Sequence, residues 1–148
     1  MKAVIVRQFG GPDQLRLTEA VEPVPRPGQV QVAVHAAGVN PVDAGNRADG
    51  SWAGLSAPCI LGYDIGGVIT RTSPEVAGLA PGDRVMAMTH FPDGAGGYAE
   101  LAVTDASLAA RISPAVRSPA RRPSCWPREP PRWCCPGWPC PPAPGHWY

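Results

Sequence analysis

The sequence predicts a mainly β fold with one or two short helices, a compact barrel or sandwich rather than an alternating strand–helix array. Three observations predict it. Short β-branched runs separated by Gly and Pro fill residues 1–112. The run Gln29-Val30-Gln31-Val32-Ala33-Val34-His35 alternates with a period of two. One stretch, Asn40-Pro41-Val42-Asp43, carries a helix start, with Asn as N-cap and Pro at the first helical position.

The elements follow in chain order. Ala3–Val6 is a strand, closed by the turn Gly10-Gly11-Pro12-Asp13. Leu15-Arg16-Leu17-Thr18 alternates as a half-buried strand does. Pro23, Pro25 and Pro27 forbid helix and ladder, so this stretch is an extended connector ending at Gly28. In the next strand Val30, Val32 and Val34 share one face, and Gln29, Gln31, Ala33 and His35 the other. A short helix runs from Asn40 to about Ala48, closed by Gly50. Ile65–Arg71 and Asp83–Met88 are further strands, and Gly96-Gly97 leads into a last one at Tyr98–Val103.

Charge and composition exclude several functions. The 148 residues hold 13 Lys+Arg against 12 Asp+Glu, a net charge of +1, which gives no electrostatic case for nucleic acid or an anionic membrane surface. No stretch approaches the roughly 18 apolar residues of a membrane span. The opening Met1-Lys2-Ala3-Val4-Ile5-Val6-Arg7 reads as a strand and is too short for a secretory leader, so a cytoplasmic location is expected. The average also hides a division. Residues 1–112 carry eight basic and eleven acidic side chains, a charge of −3, whereas residues 113–148 carry five Arg and one Glu, a charge of +4. That second segment holds 11 of the 20 Pro, four of the five Cys and four of the five Trp.

Several phrases of residues 1–112 together resemble the N-terminal domain of the medium-chain dehydrogenases/reductases, in their zinc-free quinone oxidoreductase branch. They are Met1-Lys2-Ala3-Val4, Pro27-Gly28-Gln29-Val30, Ala37-Gly38-Val39-Asn40-Pro41-Val42-Asp43, Leu61-Gly62-Tyr63-Asp64-Ile65-Gly66-Gly67-Val68, Pro81-Gly82-Asp83-Arg84-Val85 and Gly96-Gly97-Tyr98-Ala99-Glu100. Each is weak alone; six in the family's order are not. The resemblance implies a GroES-like β-barrel. It also implies hydride transfer from NADPH to a quinone, enone or other activated alkene, chemistry in which the nicotinamide reacts and the protein binds and orients.

Zinc is expected to be absent. Zinc-dependent relatives place Cys where this chain has Asn40, and Gly-His-Glu where it has Gly62-Tyr63-Asp64. An amide and a phenol are poor substitutes for the N, S and O ligands a catalytic zinc takes. Carried over by position, Asn40 hydrogen-bonds near the nicotinamide or the substrate carbonyl, Asp43 fixes that geometry, and Tyr63 offers a hydroxyl to the reduced oxygen. Trp52 falls where relatives carry a pocket aromatic suited to stacking on a flat quinone, and Asp64 lines the same cleft. Each has a plainer reading: Asn40 as a helix cap, Asp43 as a partner of the helix dipole, Asp64 as turn chemistry, Trp52 as a wall residue. His35 and His90 read as structural, Cys59 as a buried small apolar residue.

The glycine cluster Gly94-Ala95-Gly96-Gly97 has the wrong spacing for a dinucleotide cradle, so no cofactor-binding turn and no Rossmann domain are expected in this chain. Residues 113–148 are expected to be irregular or disordered, since Pro recurs too often for helix or ladder. One Lys against 12 Arg suggests GC-rich coding DNA, and a frameshift near residue 116 explains the change of composition, leaving a fragment inactive alone. Two other readings of the tail stay open. Cys125, Cys134, Cys135, Cys140 and His146 are enough metal ligands in number but lack paired C-x2-C knuckles. A Pro/Arg-rich interaction tail on a non-catalytic β-module is the other.

Overall fold

A computed structural model describes residues 1–90 and 96–116. The expected disorder of the tail and its cysteine cluster therefore fall outside the described residues. Met1–Pro114 forms one compact unit, with eight strands and one α-helix among its described residues. The strands are β1 (Lys2–Val6), β2 (Leu15–Glu19), β3 (Gln29–Ala37), β4 (Cys59–Ile60), β5 (Asp64–Thr72), β6 (Arg84–Met88), β7 (Leu101–Asp105) and β8 (Ala109–Arg111). The helix α1 spans Pro41–Asp49, and single 3-10 turns occupy Pro12–Gln14 and Ala106–Leu108.

The strands build two sheets, ordered β2-β1-β4 and β7-β3-β5-β6-β8. Every pairing is antiparallel, so the described residues contain no parallel strand–helix–strand unit. Neither ladder closes on itself; the barrel-like arrangement is two open sheets joined through one region. There Val4 N–H donates to Tyr98 O at 2.8 Å and Glu100 N–H to Lys2 O at 3.0 Å, around a single Ala3–Ala99 bridge. This explains why the last long strand starts at Leu101 and not at Tyr98 as its sequence suggests: residues 98–100 serve the first sheet before the chain joins the second.

The larger sheet carries the core. Val30, Val32, Ile65, Ile69, Val85, Ala87 and Ala102 form one buried cluster, supplied by β3, β5, β6 and β7. Burying the valine and isoleucine side chains among them contributes roughly 1.5–3 kcal/mol each. The alternation expected in β3 is broken at one point: Gln31 is as buried as its valine neighbours. Its Nε2 donates to Pro23 O at 2.7 Å and its Oε1 accepts from Thr70 Oγ1 at 2.6 Å. The proline connector thus covers the face that period-two patterning assigns to solvent.

β5 and β3 approach closely at Gly67. A Cβ on Gly67 would meet the Ala33 backbone carbonyl and stand 2.8 Å from Val32 Cγ1, so glycine is what allows the two strands to pair at this register. The two-residue β4 and three-residue β8 are too short to leave a period in the sequence.

Candidate functional site

The site begins with the helix entry the sequence predicts. Asn40 has extended backbone angles and precedes Pro41, and Gly50 closes α1 in the left-handed conformation at φ 74°. The buried residues of α1 are its polar ones, Asp43 and Asn46, not an apolar stripe. Residues 40, 43 and 46 lie three apart and so line one side of the helix. That side faces the segment leading into β5.

Asp43 is the hub. It is 4% exposed. Its Oδ2 accepts the Asn40 N–H at 2.8 Å, completing one arm of a capping box, and its Oδ1 accepts the Gly62 N–H at 3.0 Å. Gly62 adopts φ 99°, and the Tyr98 ring occupies the space its side chain would need, so this turn requires glycine. Gly62 O in turn accepts Thr89 Oγ1 at 3.0 Å and Gly97 N–H at 2.9 Å. Four separate segments are fastened at one backbone turn.

Above the hub, Asn40 Nδ2 donates to Asp64 Oδ2 at 2.8 Å. Asp64 is exposed, and Gly38 N–H donates to its backbone carbonyl at 2.8 Å. Below it, Tyr63 is 3% exposed, and its hydroxyl accepts from Asn46 Nδ2 at 2.9 Å. Burial pushes the Tyr63 phenol up from its ordinary value, and the nearby Asp43 and Cys59 add to the shift. Asn40, Asp43 and Asp64 are thus linked by direct hydrogen bonds, and Tyr63 stands within the field of Asp43. Trp52 stands apart from these bonds: it is 61% exposed and lies with its indole against Gly45 of α1.

Two polar residues of this cluster escape sequence reasoning. Asn46 is fully buried, and Tyr98 donates its hydroxyl to Gly38 O at 3.2 Å while also hydrogen-bonding Asp43. The i, i+3 spacing from Asp43 is the signal for Asn46; no local signal marks Tyr98, which is brought in from 60 residues away. His90 has a partner its sequence spacing does not announce, Asp105 Oδ2 at 3.3 Å from Nδ1. Cys59 is partly buried, and burial raises its thiol pKa.

Tyr98 makes the fold sensitive to alkali. Burial raises its pKa well above the ordinary 10.0, and the charge of Asp43, its hydrogen bond to that carboxylate and the charge of Asp64 act in the same direction. An acid held protonated in the folded state contributes its stabilisation fully below its unfolded pKa and loses it as pH rises beyond that value. Thermal unfolding followed from pH 8 to 11 should therefore show a falling midpoint above about pH 10, and Tyr98→Phe should flatten that fall.

The donor set bears on metal binding. Asn40 and Tyr63 present an amide and a buried phenol, and among the described residues no group of three or more His, Cys, Asp or Glu side chains is placed to hold a metal ion. Among the described residues no helix is long and apolar enough to cross a membrane.

Comparison with known proteins agrees with this architecture. The alcohol dehydrogenase GroES-like domain matches residues 26–114. The quinone oxidoreductase of Mus musculus is 38% identical over 104 residues, which cover 70% of this chain and 30% of that protein. The structure of the quinone oxidoreductase from Coxiella burnetii superposes with a TM-score of 0.75 at 30% identity, over 79% of this chain and 38% of that one. The Escherichia coli quinone oxidoreductase complexed with NADPH superposes with a TM-score of 0.72 at 25% identity, over 79% and 35%. This chain spans under a third of the curated relatives' length. With its two antiparallel sheets, its capped helix and its glycine turn at residue 62, the chain belongs to the alcohol dehydrogenase GroES-like domain family, among quinone oxidoreductase relatives.

Proposed function

We propose that residues 1–112 form the substrate side of an NADPH-dependent, zinc-free reductase acting on quinones or other activated alkenes. The observation that carries this reading is the exposed Asn40–Asp64 pair, held at 2.8 Å directly above the buried Asp43 hub. It offers the second amide N–H of Asn40 to a ring carbonyl, and the bond to Asp64 leaves the Asn40 side chain little freedom to turn away. Tyr63 keeps its proton across the neutral range, since burial raises its pKa, and so has the character of a donor rather than of a base. Trp52 supplies an aromatic face suited to a flat ring.

The bound cofactor would supply the hydride. The residues present suit its carboxamide end, through Asn40 and Asp64. They do not suit its pyrophosphate, because no helix N-terminus with a glycine-rich turn of the required spacing occurs among the described residues. The zinc-free part of the proposal rests on donor chemistry: Asn40 is engaged with Asp64, and the Tyr63 hydroxyl with Asn46.

Titration of the chain with menadione, followed by amide chemical-shift changes, tests the proposal. Shifts should cluster on Asn40, Asp64 and the Trp52 turn, and Asn40→Ala should weaken binding about fivefold, the worth of one hydrogen bond. Shifts confined to another face of the domain, or unaltered affinity in Asn40→Ala, would overturn it.

A further inference from the structure

Asn46 has no exposed surface, and nothing in the reading above gives it a task. Both ends of its amide are engaged. Nδ2 donates to the Tyr63 hydroxyl, and Oδ1 accepts the N–H of Ala53, each at 2.9 Å. The first partner belongs to the segment entering β5, and the second is the residue directly after Trp52. The Trp52 indole lies against α1 at Gly45, where a Cβ would stand 2.9 Å from Cε2 and Nε1. The ring is therefore pinned from two directions: the bare backbone beneath it and the turn amide beside it.

A buried amide is costly to desolvate, and an aliphatic side chain would fill the same space without that cost. What the amide does and an aliphatic cannot is hold two polar groups on separate elements at one fixed spacing. Here those groups are the hydroxyl of Tyr63 and the turn that carries Trp52.

We propose that Asn46 is a positioning residue that sets the Trp52 indole relative to Tyr63 and thereby selects flat fused-ring ligands over small monocyclic ones. This deepens the quinone reading above and rests on it for the ligand class. Calorimetric titration of the full chain with menadione and with 2-cyclohexenone separates positioning from general support. Asn46→Leu should weaken menadione about threefold to tenfold, the worth of an aromatic stacking contact, and change cyclohexenone affinity less than about twofold. Tyr63→Phe, which removes the other anchor with the ring retained, should shift the ratio of the two affinities in the same direction. Asn46→Asp, whose two oxygens can accept the Ala53 N–H and the Tyr63 O–H and so keep both anchors, should restore menadione binding.

Equal losses for both ligands, or an unchanged ratio in both Asn46→Leu and Tyr63→Phe, overturn the proposal. Should Asn46→Leu not fold, the ratio in Tyr63→Phe decides. Should the parent chain bind neither ligand, the quinone reading fails. The positioning claim is then read from the indole N–H resonance of Trp52, assigned by its loss in Trp52→Phe. A shift in Asn46→Leu or Tyr63→Phe that Asn46→Asp does not share supports the claim, and a resonance unmoved in both overturns it.

Discussion

Gly67→Ala is expected to cost about 4 kcal/mol or more, enough to leave the domain largely unfolded. The added methyl has nowhere to go. It would press on the Ala33 carbonyl oxygen and stand 2.9 Å from the Ala33 carbonyl carbon, both backbone atoms of the partner strand. Relief would require β5 to move away from β3, and the β3–β5 ladder is the centre of the five-stranded sheet, with seven registered pairs from Val30–Thr72 to Ala37–Ile65. Gly66, one residue earlier, is the internal control. A Cβ there meets nothing nearer than the Val85 carbonyl oxygen at 4.0 Å, so Gly66→Ala should be tolerated. Urea denaturation of the two variants side by side is the measurement; a Gly67→Ala protein as stable as Gly66→Ala would show that the sheet yields at this crossing.

Asp43→Ala should cost about 2–4 kcal/mol, because it strands the Asn40 and Gly62 N–H groups inside the protein. Asp43→Asn keeps one acceptor oxygen but turns an NH2 group toward the other donor, so roughly half the loss is expected. The effect extends to the site. Without the carboxylate neither the Asn40 cap nor the Gly62 turn is fixed, and the Asn40–Asp64 pair loses its support. Asp43→Asn should therefore weaken menadione more than Asn40→Ala does. Denaturation midpoints and ligand affinities measured on the same variants check both statements, and a stable, fully binding Asp43→Ala would remove Asp43 from its central position.

Strands were readable where short β-branched or alternating runs are bounded by Gly and Pro. Lys2–Val6, Leu15–Glu19, Gln29–Ala37, Asp64–Thr72 and Arg84–Met88 all contain such runs. Patterning fails where burial comes from somewhere other than the opposite sheet face, as at Gln31, which the proline connector covers. It fails again at residues 98–100, which pair with β1 through backbone bonds and a Lys2 N–H bond to the Glu100 carboxylate. In the site, Asn40 and Asp43 are legible because capping is a local rule of spacing. Asn46 is marked only by its i, i+3 spacing from Asp43, which says nothing of its partners, and Tyr98 is not marked at all, because a distant phenol gains its role from a contact 60 residues away.

The reversed polarity of α1 has a consequence for how the domain assembles. A nine-residue helix with a glycine inside it and its acidic and amide side chains turned inward has little reason to form in water. Its inward bonds reach residues 53, 62 and 63, so they exist once the chain has folded back on itself there. The helix is thus held by the segment 53–63 rather than by its own propensity, and loosening that segment would cost the helix before it cost the sheets.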